Sequence, residues 1–225
     1  HILALLEGLL RHRPEEGCAI ILFTLAYYRG LTGGDCTELL RRAERAPLGQ
    51  TYPFRSIEAR ALRAAMERGS ARAPFLLGCL LYAKRHYQQA AELFEEALRR
   101  DPGNYMACRS LAVACFSHLD RGEEALPLMH RAMSLHPDAQ LLYETVVLMD
   151  KLGCAPAEKI ALLESRPQLL GRDDLLTELA KACNQDARPQ QALEVLGAHT
   201  FVPCEGGEHA IADQYMFAHY LRGME

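Results

Sequence analysis

The chain has 225 residues, of which 49% are hydrophobic and 24% charged, a balance typical of folded globular proteins and unlike that of disordered chains. Its formal net charge is −4 with acids and bases interspersed, which argues against binding to nucleic acid or to an anionic membrane. No apolar run approaches the roughly 20 residues of a membrane-spanning helix. The eight cysteines stand singly, without a CxxC pair, and predict reduced thiols in a cytoplasmic protein.

Residues 1–50 are interpreted as degenerate helical repeats. Residues 2–12 have the pattern of the second helix of a repeat closed by Pro14, so we expect the chain to begin inside a repeat and to be a segment of a longer protein. A helix that starts near residue 17 and a partner helix that ends at Pro47 form the next predicted unit.

Residues 51–70 predict an extra helix that does not belong to a regular repeat. A linker with two prolines and one glycine precedes it, and its apolar residues then recur with the period of a helix. These residues are Ile57, Ala61, Leu62, Ala65 and Met66. The sequence shows no partner before this helix, and we expect it to pack as an added layer against the repeat at Ala71.

Residues 71–139 contain two copies of one helix-turn-helix unit. Aligned on their closing residues, Pro102 and Pro137, the copies have a period of 35 residues. In this alignment Ala90, Phe94 and Ala97 stand opposite Ala125, Met129 and Ala132. Small residues, Gly78 among them, are expected where the two helices cross. The period is close to the roughly 34 residues of a tetratricopeptide repeat, which we therefore expect here.

Residues 140–199 predict further, degenerate units. A shortened helix pair ends at Pro167, and the following pair recovers the spacing, with its second helix beginning at Pro189. The core positions of that last pair are Leu179, Ala180, Cys183, Ala192 and Leu196. Residues 200–225 are expected to contain a capping helix that covers the apolar end of the array.

These units predict an all-α fold, a right-handed superhelical α-solenoid of tetratricopeptide helix-turn-helix repeats that runs as one domain through residues 1–225. The central repeats resemble tetratricopeptide repeats in general. The carboxylate clamp of the chaperone-binding subclass does not match, because its positions hold other residues. These are Phe75, Cys79, Arg109 and Val113.

The resemblance implies that the first helix of each repeat lines a concave groove. The candidate residues for this groove are Tyr28, Arg72, Phe75, Tyr82, Arg109, Phe116, Lys181 and Asn184. Aromatic anchors and cations suit an extended peptide or a docked helix, so the predicted function is a protein-interaction or scaffold module. An alternative is that the groove holds another part of the full-length protein, such as its own N-terminal domain.

No catalytic signature is present: the sequence lacks a nucleophile elbow, a phosphate-binding loop and a dinucleotide motif. We therefore expect a protein that is not an enzyme and that needs no cofactor. Cys115 and His118 have the spacing of half a zinc site, but a second ligand pair is missing. Cys108 and Cys115 are accordingly predicted to be core residues, and no metal is expected.

A second resemblance covers residues 52–223. The succession YPFR, APFLLGCLLYAKRHYQQAAELFEEAL, RSLAVACF, LLYETVVLMDKLG, RDDLLTEL and FVPCEGGE is similar to the C-terminal repeat region of large bacterial proteins. In those proteins a domain of uncharacterised function, rich in β-sheet and suspected of a carbohydrate-related role, precedes the repeats. The resemblance implies a detached interaction region. Its alternative implication is the helical accessory half of a carbohydrate-active enzyme whose catalytic domain lies outside this chain.

The last motif of that resemblance departs from the bacterial pattern PWEGGEG. This chain has Cys204 in place of the tryptophan and His209 in place of the final glycine. Between them stand Glu205, Gly206, Gly207 and Glu208. The two glycines are compatible with an anion-binding nest or with a tight turn before a helix, and the sequence leaves the role of this EGGE segment open.

Overall fold

The computed structural model describes residues 2–12, 18–47, 52–202 and 208–224, and within these ranges every regular element is helical. The prediction of an all-α fold is confirmed. Contacts between backbone positions divide the chain into two compact units, His1–Leu128 and Met129–Glu225. That residues 1–225 form a single domain stays a prediction. No described helix is long and apolar enough to cross a bilayer.

The first unit contains seven complete helices in its described part. They are α1 (Ile2–His12), α2 (Ala19–Leu31), α3 (Thr37–Arg45), α4 (Ser56–Glu67), α5 (Ala73–Ala83), α6 (Tyr87–Arg100) and α7 (Tyr105–His118). Helix α8 (Gly122–Leu135) begins in this unit and ends in the next. Helix α5 pairs with α6, and α7 packs on both of them. This arrangement places α5 and α7 as the first helices of successive repeats.

The extra helix predicted in residues 51–70 is α4, and it has two neighbours. It packs on α5, as expected, and also on α2, which the sequence did not indicate. Leu62 in the middle of its apolar stripe is fully buried. Glu58 in the first turn caps the N-terminus of the helix, because its carboxylate accepts hydrogen bonds from the backbone N–H groups of Phe54 and Arg55 at 2.7 and 2.8 Å. The segment before α4 is thereby fixed to the helix.

Small residues allow α5 and α6 to cross closely. Ala90 and Ala97 have no exposed surface, and Phe94 is 1% exposed. A Cβ atom added to Gly78 would lie 2.6 Å from a ring carbon of Phe94, a distance that carbon atoms do not tolerate. The predicted role of small residues at this crossing is confirmed.

Three of the turns between helices contain a non-glycine residue in the left-handed backbone conformation. After α5, α7 and α11 (Asp173–Gln185), a single non-glycine residue has positive φ: Arg85 at 64°, Asp120 at 52° and Ala187 at 55°. This left-handed conformation ends a helix and satisfies its last carbonyl groups. After α5, for example, the N–H of His86 donates to the carbonyl oxygen of Leu81 at 2.9 Å.

The second unit contains five complete helices in its described part. They are α9 (Ala139–Lys151), α10 (Pro156–Glu164), α11, α12 (Pro189–Gly197) and α13 (Glu208–Arg222), with a short 3₁₀ turn at Pro167–Leu169. Helix α12 packs on α11 and begins at the predicted proline. The five core positions predicted for this pair are all buried.

An ionic network around a buried lysine joins three helices of the second unit. Lys159 of α10 is 3% exposed, and its Nζ donates to Asp150 Oδ1 of α9 at 2.6 Å and to Gln185 Oε1 of α11 at 2.7 Å. The ammonium group of Lys181 donates to the other carboxylate oxygen of Asp150 at 2.9 Å. Both lysines lower the pKa of Asp150 below its ordinary value, with Lys159 the larger cause.

Helix α13 packs on α11 and α12, as expected of a capping helix. Ala218 is its fully buried residue. The helix also carries large apolar side chains that are exposed to solvent within the described part of the chain. These are Tyr215, Met216, Phe217 and Tyr220. The capping helix therefore covers one apolar surface and exposes another.

Candidate functional site

The first unit has an open cleft between α5 and α7, with a volume of about 340 Å³. Its lining residues are Tyr52, Cys79, Tyr82, Phe94, Arg109, Ser110 and Val113. We call this the α5–α7 cleft. Two of these residues come from α5, three from α7, one from α6 and one from the segment before α4.

Helix geometry explains why these residues share one surface. Cys79 and Tyr82 are three positions apart on α5, and Arg109 and Val113 are four positions apart on α7. Residues with this spacing lie one above the other on a helix face. Because α5 and α7 are the first helices of successive repeats, two of the lining residues, Tyr82 and Arg109, are groove residues that the resemblance implied.

The cleft has an aromatic mouth and an apolar floor. Tyr52 is 53% exposed and Val113 is 36% exposed, whereas Phe94 at the base is 1% exposed. Tyr82 is half-buried, and this burial raises the pKa of its hydroxyl, with a smaller contribution from Tyr87. Rigid aromatic side chains at an open pocket provide contact area at a low entropic cost.

The thiol of Cys79 is unreactive in this position. Burial raises the pKa of its thiol to about 12, and the nearby positive charge of Arg109 offsets only part of that effect. Because the thiolate and not the thiol is the nucleophile, the side chain acts as a small apolar group at neutral pH.

A hydrogen-bonded aromatic cluster adjoins the cleft at Tyr82. The ring of His118 from α7 stacks on that of Tyr87 from α6, with centroids 3.6 Å apart and an angle of 7° between planes. The Nε2 atom of His118 lies 3.1 Å from Tyr82 Oη. The cluster thus connects three helices at one end of the cleft.

Of the six predicted groove residues in the first unit, four do not line this cleft. Phe75 is 1% exposed and packs against Phe94 at 6.0 Å between ring centroids, so it is a core residue and the expectation of an accessible anchor is wrong. Arg72 donates to the carbonyl oxygen of Ala46 at the end of α3. Tyr28 is half-buried with its ring edge-on to Tyr27.

Phe116, the fourth, is half-buried and also lies outside the cleft lining. The other two predicted residues of this unit, Tyr82 and Arg109, are brought together in the cleft. The sequence reasoning missed Tyr52, because it belongs to a linker and not to a repeat helix.

The two predicted residues of the second unit are engaged within that unit. The ammonium group of Lys181 is bonded to Asp150 and lies 3.4 Å from Glu178 Oε2. Asn184 is 4% exposed, and its Nδ2 donates to the backbone oxygen of Gln214 at 2.9 Å. Its Oδ1 is buried and has no hydrogen-bond partner among the described residues. Asn184 is therefore a buried residue, whereas the partly exposed Lys181 is held in ion pairs within its own unit.

Among the described residues, the remaining sequence motifs give no second site. Cys108 and Cys115 are completely buried, as predicted, whereas His118 is exposed. The part of the chain that the structure describes holds no cluster of three potential metal ligands. The EGGE segment begins outside the described residues, so its role stays open.

The central part of the chain matches a known repeat family. Residues 75–140 match the model of the tetratricopeptide repeat. Over 79 residues, which are 35% of this chain, the sequence is 33% identical to the peroxisomal targeting signal receptor of Saccharomyces cerevisiae. The match spans 13% of the length of that receptor. The central segment of the chain is therefore similar to tetratricopeptide repeats.

Solved structures extend the likeness of fold beyond that segment. YrrB, described as a TPR protein with an unusual peptide-binding site, is 19% identical with 97% of each chain covered and a TM-score of 0.53. MamA from Desulfovibrio magneticus RS-1 is 18% identical, with 81% of this chain and 94% of that chain covered and a TM-score of 0.52.

A third structure is the complex of Naa15/Naa10 bound to HypK-THB. Its matched chain is 18% identical, with 91% of this chain and 29% of that chain covered and a TM-score of 0.54. At such identities these likenesses concern the fold alone, and that fold is the tetratricopeptide-type α-solenoid.

Proposed function

We propose that this chain is a non-catalytic protein-interaction module that binds an extended segment of a protein partner in the α5–α7 cleft. The observation that carries the proposal is the open cleft on the first helices of two regular repeats, with exposed Tyr52 and half-buried Tyr82 at its mouth. A cleft of this size accommodates a few side chains of a peptide and leaves its backbone at the surface.

The character of the lining supports a peptide over a small hydrophilic ligand. Aromatic and aliphatic side chains dominate, and Arg109 is the one ionised side chain among the residues that line the cleft. The half-buried and exposed aromatic rings are typical of binding hot spots. Tetratricopeptide relatives provide context only, since one structural neighbour is described by its peptide-binding site.

The proposal is tested by selecting peptides from a random display library on the immobilised chain. The variant Val113→Arg places a long cation into the cleft from a position that is already 36% exposed, so the fold is preserved while the cleft is filled. We expect the selected peptides to lose at least about tenfold in affinity, as for loss of one hot spot.

The matched control is Leu152→Arg in the second unit, where the leucine is 37% exposed. It should leave the affinity unchanged. Peptides that bind the Val113→Arg variant as well as the parent chain contradict the proposal. A neighbouring domain as the natural partner would show itself as a selected sequence that matches a segment of that domain.

A further inference from the structure

His118 is an exposed residue that does not line the α5–α7 cleft but contacts a residue that does. We propose that His118 is a pH-dependent positioning residue, whose protonation makes the cleft favour ligand segments that carry a carboxylate. This inference rests on the proposed function of the cleft and adds to it the chemistry of the ligand and its regulation.

The geometry joins His118 to the cleft through Tyr82. The His118 Nε2 atom and the Tyr82 Oη atom are 3.1 Å apart, and Tyr82 forms part of the cleft wall. The rings of the two residues meet edge to face at 5.5 Å between centroids. The ring of Tyr87 holds His118 in place by stacking on it and meets Tyr82 edge to face at 5.1 Å. Three helices therefore fix the histidine in contact with the hydroxyl group.

Protonation decides the direction of this hydrogen bond. In a neutral imidazole one ring nitrogen donates and the other accepts, so the bond to Tyr82 is possible in either direction. In the imidazolium ion both nitrogens carry hydrogen, so Nε2 of His118 must donate and the oxygen of Tyr82 must accept. The hydroxyl hydrogen of Tyr82 is then available to an acceptor in the cleft. A carboxylate is the acceptor that forms the strongest such bond.

The positive charge of the protonated His118 ring also favours a carboxylate bound to Tyr82. A carboxylate bound to Tyr82 lies roughly 6 Å from the imidazolium, and a pair of opposite charges at that distance in a water-like medium gains about threefold in affinity. The face of Tyr87 stabilises the cation by a cation–π contact. This gain is absent when the ring is neutral.

The ring contacts described for His118 are with Tyr82 of α5 and Tyr87 of α6, two uncharged side chains. The next cation along the chain, Arg121, is bonded to Glu95 at 3.1 Å and to Glu124 at 2.6 Å.

The test uses two matched probes, N-acetyl-glutamate N-methylamide and its glutamine counterpart, titrated into ring-labelled protein and followed by the NMR signals of Tyr82 and His118. At about pH 5.5 the glutamate probe is still ionised, since the ordinary pKa of glutamate is about 4.3. We expect it to bind about threefold or more tightly at pH 5.5 than at pH 8, and the glutamine probe to be insensitive to pH.

Two variants isolate the mechanism. His118→Gln keeps a hydrogen-bond donor that never becomes charged, and Tyr82→Phe removes the hydroxyl group; both should abolish the pH dependence for the glutamate probe. Tyr215→Phe on α13 is the control and should retain it. Equal pH dependence of both probes, a response that survives His118→Gln, or no binding of the glutamate probe at either pH overturns the inference.

The experiments distinguish a failure of the proposed function from a failure of the inference about His118. If peptides selected on the chain bind the Val113→Arg variant normally, the cleft is not the peptide site. If they require the cleft while their acidic and amide forms show the same dependence on pH, only the role of His118 is wrong.

Discussion

At the residue scale, the cleft owes its chemical character to burial more than to charge. Cys79 shows this most directly, because burial raises the pKa of its thiol to about 12. A cysteine on a binding surface invites the expectation of a reactive nucleophile. Its environment instead keeps it protonated, and it contributes an apolar wall.

The prediction for Cys79 concerns alkylation by iodoacetamide at about pH 8. Since only the thiolate reacts, its modification should be slower than that of an unperturbed thiol by a factor on the order of a thousand. The rate should still rise with each pH unit up to pH 10, without a plateau. Peptide mapping by mass spectrometry measures the rate, with the partly exposed Cys154 as a comparison. Rapid modification of Cys79 at pH 8 would contradict this description.

At the element scale, the close crossing of α5 and α6 depends on the missing side chain of Gly78. Gly78→Ala places a carbon 2.6 Å from the ring of Phe94, which must move within a packed core. We expect a loss of about 1–3 kcal/mol in the free energy of unfolding, measured by urea denaturation. The control is Gly8→Ala in α1, where an added Cβ meets no atom within 4 Å. That change should be neutral or stabilising by up to about 1 kcal/mol, because alanine favours helix.

The buried Lys159 provides a second test at this scale. Asp150→Ala leaves the ammonium group of Lys159 buried without its ionic partner and should destabilise the second unit by about 3 kcal/mol. Lys159→Met replaces the buried charge with an apolar side chain of similar length and should cost much less. Equal losses for the two variants in a denaturation series would show that the network stabilises the unit by packing alone.

The same network makes stability depend on pH in a definite direction. The two lysines lower the pKa of Asp150, so its contribution to the free energy of unfolding is complete above the ordinary aspartate value of about 3.9. The contribution is lost as the pH falls through the lower value of the folded state. Stability measured below pH 4 should therefore decline less steeply in Asp150→Ala than in the parent chain.

Repeat spacing was sufficient to predict the helices, but it did not predict the burial of every residue or every contact between helices. The alignment on Pro102 and Pro137 identified buried core residues correctly, since each repeat imposes the same crossing geometry. It failed for Phe75, which the groove pattern placed at the surface and the structure places in the core. The contact of α4 with α2 was also missed, because a contact between the extra helix and a repeat helix leaves no periodic signal in the sequence.

Repeat spacing also predicted only part of the candidate site. Tyr82 and Arg109 follow from the repeat register, whereas Tyr52 reaches the cleft from a linker whose path the sequence pattern does not determine. The bond between His118 and Tyr82 joins residues 36 positions apart in the chain, and their pairing became visible only in the structure.

At the scale of the whole molecule, two exposed apolar surfaces among the described residues are candidates for the place where a partner binds. One is the α5–α7 cleft in the first unit, and the other is the exposed side of α13 in the second. The cleft is concave and includes hydrogen-bonding groups on Tyr82 and Ser110 beside its apolar floor, which allows it to orient a peptide. For this reason we assign the interaction to the cleft.

The most direct measurement of this claim is photo-crosslinking with a selected peptide that carries a benzophenone side chain. After irradiation, mass spectrometry identifies the residues that the peptide has modified. If the peptide binds in the α5–α7 cleft, we expect crosslinks to Tyr52, Tyr82 and Val113 in the first unit. Crosslinks confined to α13, with none in the α5–α7 cleft, would contradict it.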